Sequence, residues 1–425
     1  MENKSINRRD FIKGLGVAGT GFALASTPWL SAFSDTQHTE KLKCRLAVIG
    51  PGSRGQYLME FLAQNQKVEF AALCDIYQPS IDRALEIAPN AKVYNDYRKV
   101  LEDKTIDAVV VATPLSAHYD IVMDAFDADK HVFCEKTIGY TMEECFNMYR
   151  KHKETGRIFF IGQQRLCDPR YIKAMEMIHA GMFGEINAIR TYWYRNGDWR
   201  RDVSSQELER LINWRLYREH SKGLMTELAC HQLQAGTWAL RSIPNKVMGH
   251  GAITYWKDGR EVDDNVSCIY IFDNGVKMTF DSVISNKFYG LEECILGKKG
   301  TIEPERGKYY FEEVAPAPAF LQMINDIENK VFDALPFAGT SWASETANRN
   351  AGEYITGKIP KTDGTDLLLD AFVEAVVTEK QPKDLAEEGY YASALSLLGF
   401  QAIEEERILT FPDEYKINYL NHSMV

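Results

Sequence analysis

The sequence predicts an α/β protein, with an N-terminal doubly wound parallel sheet followed by an α+β domain that contains a large, mostly antiparallel open sheet. Short apolar runs alternate with amphipathic helices over residues 43–162, as in parallel sheets. Residues 185–312 instead alternate polar and apolar side chains, as in antiparallel strands with unlike faces. A chain of 425 residues also exceeds one typical core, so two domains are expected.

The first predicted strand, residues 45–49, and the first helix, residues 56–64, flank a glycine-rich turn. In such a turn Gly50 allows the tight bend, Gly52 lets the backbone approach a pyrophosphate, and Gly55 lets helix and strand pack closely. The free N–H groups at the helix start favour phosphate charge. This order predicts a Rossmann-type dinucleotide site, and its turn reads Gly50-Pro51-Gly52-Ser53-Arg54-Gly55.

The second predicted strand, residues 68–74, ends in Asp75, twenty positions after Gly55. A carboxylate at this distance hydrogen-bonds the adenosine ribose hydroxyls. It would also repel a 2′-phosphate. The cofactor expected from Asp75 is therefore NAD.

The remaining elements of the first domain continue the alternation of strands and helices. The strand 108–112 ends at Thr113-Pro114, and the carboxyl ends of strands are where ligands bind in such sheets. The other predicted elements are helices 79–88, 98–102, 116–128 and 141–155 and strands near 93–97, 131–134 and 158–161.

The N-terminal residues predict export rather than a folded element. Paired arginines in Asn7-Arg8-Arg9-Asp10-Phe11-Ile12-Lys13 precede a mildly apolar segment that is too short and weak for a typical membrane span. The alternative is a disordered basic tail. The predicted organisation is a twin-arginine signal over 1–34, a linker over 35–42, a nucleotide domain over 43–162 and a substrate-binding and oligomerisation domain over 163–425.

Export to the periplasm has a consequence for the cofactor. Free NAD is scarce outside the inner membrane, so a nicotinamide cofactor would be tightly bound and regenerated on the enzyme. After signal cleavage we expect no membrane insertion. A net charge of −11 argues against a nucleic-acid partner, and the eight cysteines include no C-x-x-C pair, so no metal site is expected.

Together the motifs identify a family resemblance that runs from residue 43 to the C-terminal helices. The chain resembles the Gfo/Idh/MocA oxidoreductases, on the motifs Ala47-Val48-Ile49-Gly50-Pro51-Gly52-Ser53-Arg54-Gly55, Ala112-Thr113-Pro114 with His118, His131-Val132-Phe133-Cys134-Glu135-Lys136, Gly162-Gln163-Gln164-Arg165 and Gly184-Glu185-Ile186. The resemblance implies a carbohydrate substrate and a homo-oligomer. The residues expected to bind the cofactor are Gly50, Gly52, Ser53, Arg54, Gly55, Asp75, Thr113, Pro114, His118, Glu135, Lys136 and Gln164.

Lys136 is the first candidate catalytic residue. In the family this lysine lies between nicotinamide and substrate, where an ammonium group steadies the alkoxide-like charge as hydride leaves. The usual Glu-Lys-Pro reads Glu135-Lys136-Thr137 here, so the proline that shapes the backbone after the lysine in that motif is missing. The alternative for Glu135 and Lys136 is a solvated surface pair.

The second catalytic candidates are Glu227 and His231, four residues apart on one face of a predicted helix. The family often has Asp-x-x-x-His here, and histidine is suited to take the hydroxyl proton. Glu227 could orient the ring or hydrogen-bond the substrate, and the alternative is a common acid–histidine surface pair. Gln234 stands where many relatives carry a second acid, and with Gln232 it offers neutral amides.

The aromatic and charged stretch 192–201 suits a sugar, because rings stack on its apolar faces while Arg, Asn and Asp bond its hydroxyls. Core packing is the alternative. The candidate substrate-binding residues are Arg165, Arg195, Trp199, Trp214 and Gln232.

The helices predicted over 365–379 and 388–407 should pack back on the domains. Residues 315–360, with a helix over 320–332, could cover the site or pack on the surface.

Three functions can be weighed against this sequence. The leading one is oxidation of a ring hydroxyl of a glucoside or related pyranoside by bound NAD, with regeneration by a second sugar or keto-sugar. An NAD-dependent glycoside hydrolase, working by transient oxidation, elimination, water addition and re-reduction, is the alternative. The third, a redox-silent sugar-binding protein, conflicts with the presence of both Lys136 and His231.

Overall fold

The computed structural model describes residues 43–312, 352–357 and 361–417. The predicted export signal over 1–34, the linker over 35–42 and the predicted helix over 320–332 lie outside the described residues. Among the described residues, no helix has both the length and the apolar character needed to cross a membrane.

The first sheet has six parallel strands in the order β3-β2-β1-β4-β5-β6, which confirms the predicted doubly wound sheet. The chain reverses its direction of sheet growth between β1 and β4, and a ligand crevice opens at that point in such sheets. The strands are β1 Cys44–Ile49, β2 Val68–Cys74, β3 Lys92–Tyr94, β4 Ala108–Val111, β5 His131–Cys134 and β6 Phe159–Ile161. The helices between them are α1 Ser53–Leu62, α2 Gln78–Ile87, α3 Tyr97–Glu102, α4 His118–Asp127 and α5 Met142–Thr155.

Both faces of this sheet are covered, which explains the unbroken apolar runs of its strands. Along β1, Ala47 and Ile49 pack in one core, whereas Leu46 and Val48 pack in another on the opposite face. The second core includes Phe372 of α9 Thr365–Thr378, so a C-terminal helix packs back on the nucleotide domain as expected.

The second sheet has nine strands in the order β14-β13-β12-β11-β7-β10-β9-β8-β15. Among the described strands of this sheet, only β7 and β10 pair in parallel, and the remaining pairs are antiparallel, as predicted. The strands are β7 Ile186–Tyr194, β8 Lys246–Ala252, β9 Asn265–Ile271, β10 Lys277–Val283, β11 Leu291–Gly297, β12 Gly300–Glu303, β13 Lys308–Phe311, β14 Glu353–Tyr354 and β15 Leu409–Thr410.

Helices cover one face of this sheet. On β10, Met278 and Phe280 are buried beneath them while Lys277 is exposed, as the alternating pattern predicted. A side chain at Gly236 would collide with Met278, so this glycine allows close helix–sheet packing. The helices of this domain are α6 Pro169–His179, α7 Glu209–Ile212, α8 Cys230–Leu240 and α10 Leu385–Glu404, with a π-helical turn over Met225–Ala229 before α8.

Candidate active site

A cavity of about 1760 Å³ lies between the two domains. Its walls are the glycine turn and the ends of β2, β4 and β5 from the first domain, and the end of β7, residues 195–215 and the start of α8 from the second. Small-ligand pockets usually have roughly 300–1,000 Å³. This cavity therefore has room for a dinucleotide together with a small substrate.

The glycine turn has the backbone that a dinucleotide needs. Gly50 has φ +84°, in the left-handed region, and a Cβ there would lie 2.8 Å from backbone atoms of Ala112 and Thr113. A Cβ on Gly52 would meet no atom within 4 Å, so its backbone faces open space in the cavity. A Cβ on Gly55 would collide with the carbonyl oxygen of Gly50. The turn is thus tightly packed against β4 and α1 but open towards the cavity, where a pyrophosphate fits at the start of α1.

Asp75 lines the cavity at the end of β2, next to the glycine turn, as predicted for a ribose-binding carboxylate. One of its oxygens accepts a 2.9 Å hydrogen bond from the backbone N–H of Tyr77. Burial raises the pKa of Asp75. Two further cavity-lining residues, Thr113 and Gln164, each have a buried side-chain oxygen with no hydrogen-bond partner. Such unpaired polar atoms fit a ligand rich in hydroxyl and amide groups, as NAD is.

Lys136 follows β5 and lines the cavity. Its Nζ donates a 2.8 Å hydrogen bond to the main-chain carbonyl of Glu227 in the second domain. The hydroxyl of the next residue, Thr137, donates a 3.0 Å hydrogen bond to the carbonyl of Thr226. The backbone after the lysine is therefore held by cross-domain hydrogen bonds.

His231 lines the same cavity from the first turn of α8, with only 5% of its surface exposed. Its Nδ1 is buried and has no hydrogen-bond partner. Burial and then the positive charges of Lys136, Arg165 and Arg54 hold the pKa of His231 well below its usual 6.5. The imidazole is consequently neutral at neutral pH and able to accept a proton.

Glu227 also lines the cavity, but its carboxylate does not orient the His231 ring. It accepts a 2.9 Å hydrogen bond from Arg215 Nε and a 3.4 Å hydrogen bond from Ser221 Oγ. Burial opposes ionisation, but the charges of Arg215 and Lys136 outweigh it and lower the pKa of Glu227. A guanidinium is a stronger partner for a carboxylate than a neutral imidazole, which explains why Glu227 does not take the first of its two predicted roles; a hydrogen bond to the substrate stays a prediction.

Three residues predicted to bind the cofactor do not line the cavity: Gly55, which packs against Gly50, and the buried His118 and Glu135. The ring nitrogens of His118 lie 2.9 Å from the carbonyl oxygens of Thr137 and Thr113, so the buried imidazole joins two loops of the site. The buried Glu135 accepts a 2.7 Å hydrogen bond from Arg54 Nε and so positions an arginine that does line the cavity.

The predicted substrate-binding residues divide into two groups. Arg195, Trp199 and Trp214 line the cavity. Arg165 does not, because its buried guanidinium forms an ion pair with Glu293. Gln232 is fully buried outside the cavity wall, and neither amide atom of its side chain has a hydrogen-bond partner.

Trp193, a cavity residue that the site prediction missed, lies beside His231, with 5.7 Å between ring centroids. The guanidinium of Arg195 lies 5.2 Å from the centre of the same indole. The only signal in the sequence was its place in the aromatic stretch, where alternate residues point to opposite faces of a strand.

The described residues show neither a metal-binding group nor a disulfide. No group of three or more His, Cys, Asp or Glu side chains there is arranged to hold a metal ion. All eight cysteines are free thiols, and seven of them are buried.

Two family models match this chain and together cover more than half of it. Residues 44–163 match an oxidoreductase family with an NAD-binding Rossmann fold, and residues 171–303 match the GFO/IDH/MocA C-terminal domain.

Individual relatives share parts of the sequence. A scyllo-inositol 2-dehydrogenase (NAD(+)) of Bacillus subtilis is 29% identical over 265 residues, which is 61% of this chain and 72% of the relative. A glycosyl hydrolase family 109 protein of Stenotrophomonas maltophilia is 30% identical over 195 residues, and the match spans 43% of this chain and 41% of that protein's length.

Solved structures share the fold. The crystal structure of scyllo-inositol dehydrogenase from Lactobacillus casei with bound NAD(H) and scyllo-inositol superposes with a TM-score of 0.64 at 17% identity, over 87% of this chain and 99% of the other. NAD is the cofactor indicated by the family model of the first domain, and the open glycine turn and the unpaired polar atoms around it fit this cofactor. The chain is therefore an NAD-dependent oxidoreductase of the Gfo/Idh/MocA family.

Proposed function

We propose that this enzyme oxidises a ring hydroxyl of a glucoside or related pyranoside, using a tightly bound NAD. The observation that carries the proposal is that Lys136 and His231 line one cavity at the domain junction, where the lysine donates to the carbonyl of Glu227, four residues before the histidine. An ammonium beside a neutral imidazole matches the needs of alcohol oxidation.

Each residue has a separate part in this reaction. Bound NAD supplies the hydride acceptor. The Lys136 ammonium, oriented by the carbonyl of Glu227, donates a hydrogen bond to the hydroxyl oxygen and stabilises the negative charge that develops there. His231, neutral because of its buried and positively charged surroundings, accepts the hydroxyl proton. Arg215 keeps the Glu227 carboxylate ionised and engaged, so it does not compete for that proton.

The substrate class is supported by the indoles of the cavity. Trp193, Trp199 and Trp214 offer apolar faces for a pyranose ring, and Arg195 offers donors for its hydroxyls. Inositols, like pyranoses, are six-membered rings with several hydroxyl groups, and the relative from Bacillus subtilis is named for one. Mass spectrometry of the products from a panel of glycosides and inositols tests this proposal, together with the absorbance band of enzyme-bound NADH. The proposal fails if no compound is converted and no NADH band develops.

Export and cofactor recycling are part of the proposal. Residues 7–13 carry the twin-arginine pattern, and free NAD is scarce in the periplasm, so the reduced cofactor would return its hydride to a second sugar or keto-sugar. Changing Arg8 and Arg9 to lysine should leave the uncleaved protein in the cytoplasm. Equal periplasmic amounts of variant and wild type would contradict export by this route.

The expected homo-oligomer also stays a prediction, which size-exclusion chromatography with light scattering checks.

A glycoside hydrolase is the second candidate, favoured by one observation, the 30% identity to a glycosyl hydrolase family 109 protein. That reaction would also begin with hydroxyl oxidation but would end without net reduction of NAD. An aryl glycoside separates the two functions. Release of the phenol without accumulation of NADH would indicate hydrolysis, whereas an intact keto-glycoside with NADH formed on the enzyme would indicate oxidation.

A further inference from the structure

The segment between β7 and the π-helical turn, residues 195–222, reaches the first domain at three places. Arg201 Nη1 donates a 3.1 Å hydrogen bond to Ser53 Oγ in the glycine turn. Near the other end, His220 Nδ1 lies 2.8 Å from Ser116 Oγ, which follows β4. The hydroxyl of Tyr140 donates to the carbonyl of Arg218. Because these contacts are made on both sides of the β1–β4 crevice, the segment crosses the cofactor cleft.

The backbone of Arg201 is held firmly. Its N–H donates a 2.7 Å hydrogen bond to Asn213 Oδ1, and its carbonyl accepts a 3.0 Å hydrogen bond from Asn213 Nδ2. Asn213 is 2% exposed, and its amide also donates a 2.9 Å hydrogen bond to Glu209. A buried amide thus fixes the main chain on both sides of the residue, which directs the guanidinium towards the glycine turn.

The charged groups nearest to Arg201 are other arginines, so the local charge is positive. Burial, and then the nearby cations Arg215 and Arg83, lower the pKa of Arg201. Arg215 forms an ion pair with Glu227, whereas Arg201 forms no ion pair with any carboxylate of the described residues. Its guanidinium contacts Ser53, the first residue of α1, where free backbone N–H groups also favour an anion. The guanidinium and the start of α1 therefore both favour an anion between the turn and the segment.

We propose that Arg201 is a cofactor-binding residue supplied by the second domain, and that it closes over the NAD pyrophosphate opposite the glycine turn. A guanidinium binds phosphate oxygens in a bidentate manner, and the turn leaves the opposite side of the pyrophosphate open. Release of the cofactor then requires the Arg201 contact to break and the segment to move. This inference deepens the proposed function, because it explains how the enzyme keeps a resident NAD.

The test measures cofactor retention rather than turnover. Wild type, Arg201→Gln and Arg201→Lys are loaded with NADH, and the loss of protein-bound fluorescence is followed after excess NAD is added. We expect Arg201→Gln to release NADH about ten- to a hundredfold faster, which is the usual cost of a lost hydrogen bond to a charged group. Arg201→Lys should lie between the two, because it keeps the charge but loses the bidentate geometry.

Two comparisons separate this role from others. ADP-ribose, which has the pyrophosphate but no nicotinamide, should lose the same factor in affinity for Arg201→Gln. Arg190→Gln removes an equal charge from an exposed β7 position outside the cavity and should release NADH at the wild-type rate. Circular dichroism and the melting temperature without cofactor confirm that each variant is folded. Equal NADH release by wild type and Arg201→Gln would overturn the role of Arg201 alone, whereas a wild type that binds no NADH would overturn the resident cofactor as well.

Discussion

Lys136 Nζ donates a 2.8 Å hydrogen bond to the main-chain carbonyl of Glu227, across the junction of the two domains. The ammonium that we propose to face the substrate is thus oriented by a backbone atom of the helix turn that leads to His231. A backbone carbonyl cannot be titrated, so this orientation persists across the pH range in which the histidine changes charge. The Lys136 ammonium and the His231 imidazole are consequently both positioned by the helix turn before α8.

Replacing Lys136 with Ala or Met should abolish hydride transfer without unfolding the protein. Loss of a group that stabilises developing charge costs about a hundred- to a thousandfold in rate. The measurement is the single-turnover rate of bound NAD reduction on addition of substrate, together with the NAD content of the variant. As a control, Lys99→Ala removes an exposed lysine that pairs with Glu102 on α3. A turnover rate of Lys136→Ala equal to that of wild type would refute the role given to this lysine.

His231 should make the protein less stable in acid. Its folded pKa lies well below the unfolded value near 6.5, so the unfolded chain binds a proton that the folded chain does not. The stabilisation from the neutral ring is complete above about pH 6.5 and is lost as the pH falls towards the folded pKa. His231→Asn, which cannot titrate, should therefore lose less free energy of unfolding than wild type between about pH 7 and pH 5.

Urea denaturation at the two pH values measures this difference. The matched control is His250→Asn, which changes an exposed histidine and should retain the wild-type pH dependence. An equal loss of stability in His231→Asn and wild type would show that the ring is not held neutral.

Gly50 and Gly52 should respond differently to a side chain. Gly50→Ala places a Cβ against Ala112 and Thr113 at a positive φ, so we expect a loss of about 1–3 kcal/mol in the free energy of unfolding. Gly52→Val meets no protein atom near its Cβ and should leave stability within about 0.5 kcal/mol of wild type while blocking the pyrophosphate. Calorimetry without cofactor and titration with NADH measure the two effects. Normal NADH affinity in Gly52→Val would place the dinucleotide elsewhere.

Arg165→Met should destabilise the second domain rather than weaken substrate binding. The mutation leaves the fully buried Glu293 without its ionic partner, which costs about 3–5 kcal/mol when one partner of a buried pair is removed. Arg165→Met with Glu293→Gln should recover part of that loss. The free energy of unfolding in urea measures both variants. A raised KM with wild-type stability would return Arg165 to the substrate site.

The local sequence determined the architecture and the centre of the site. Period-two alternation, as around Met278 and Phe280, and unbroken apolar runs, as in β1, depend on which faces are buried, so both sheets could be predicted with bounds close to those observed. Gly50, Gly52 and Asp75 belong to a short strand–turn–helix–strand unit whose geometry is local. Lys136 and His231 follow recognisable motifs, and both reach the cavity.

Only the tertiary structure decided which polar partners the remaining residues have. Arg165 pairs with Glu293, which lies 128 positions away, and no periodicity links the two. Glu227 turns to Arg215 instead of His231, and His118 is used between two loops. Ion pairs and hydrogen bonds form wherever folding brings complementary groups together, so they depend on distances between elements and not on spacing along the chain. For that reason the sequence specified the turn that receives the cofactor, whereas the fold brought Arg201 across to it.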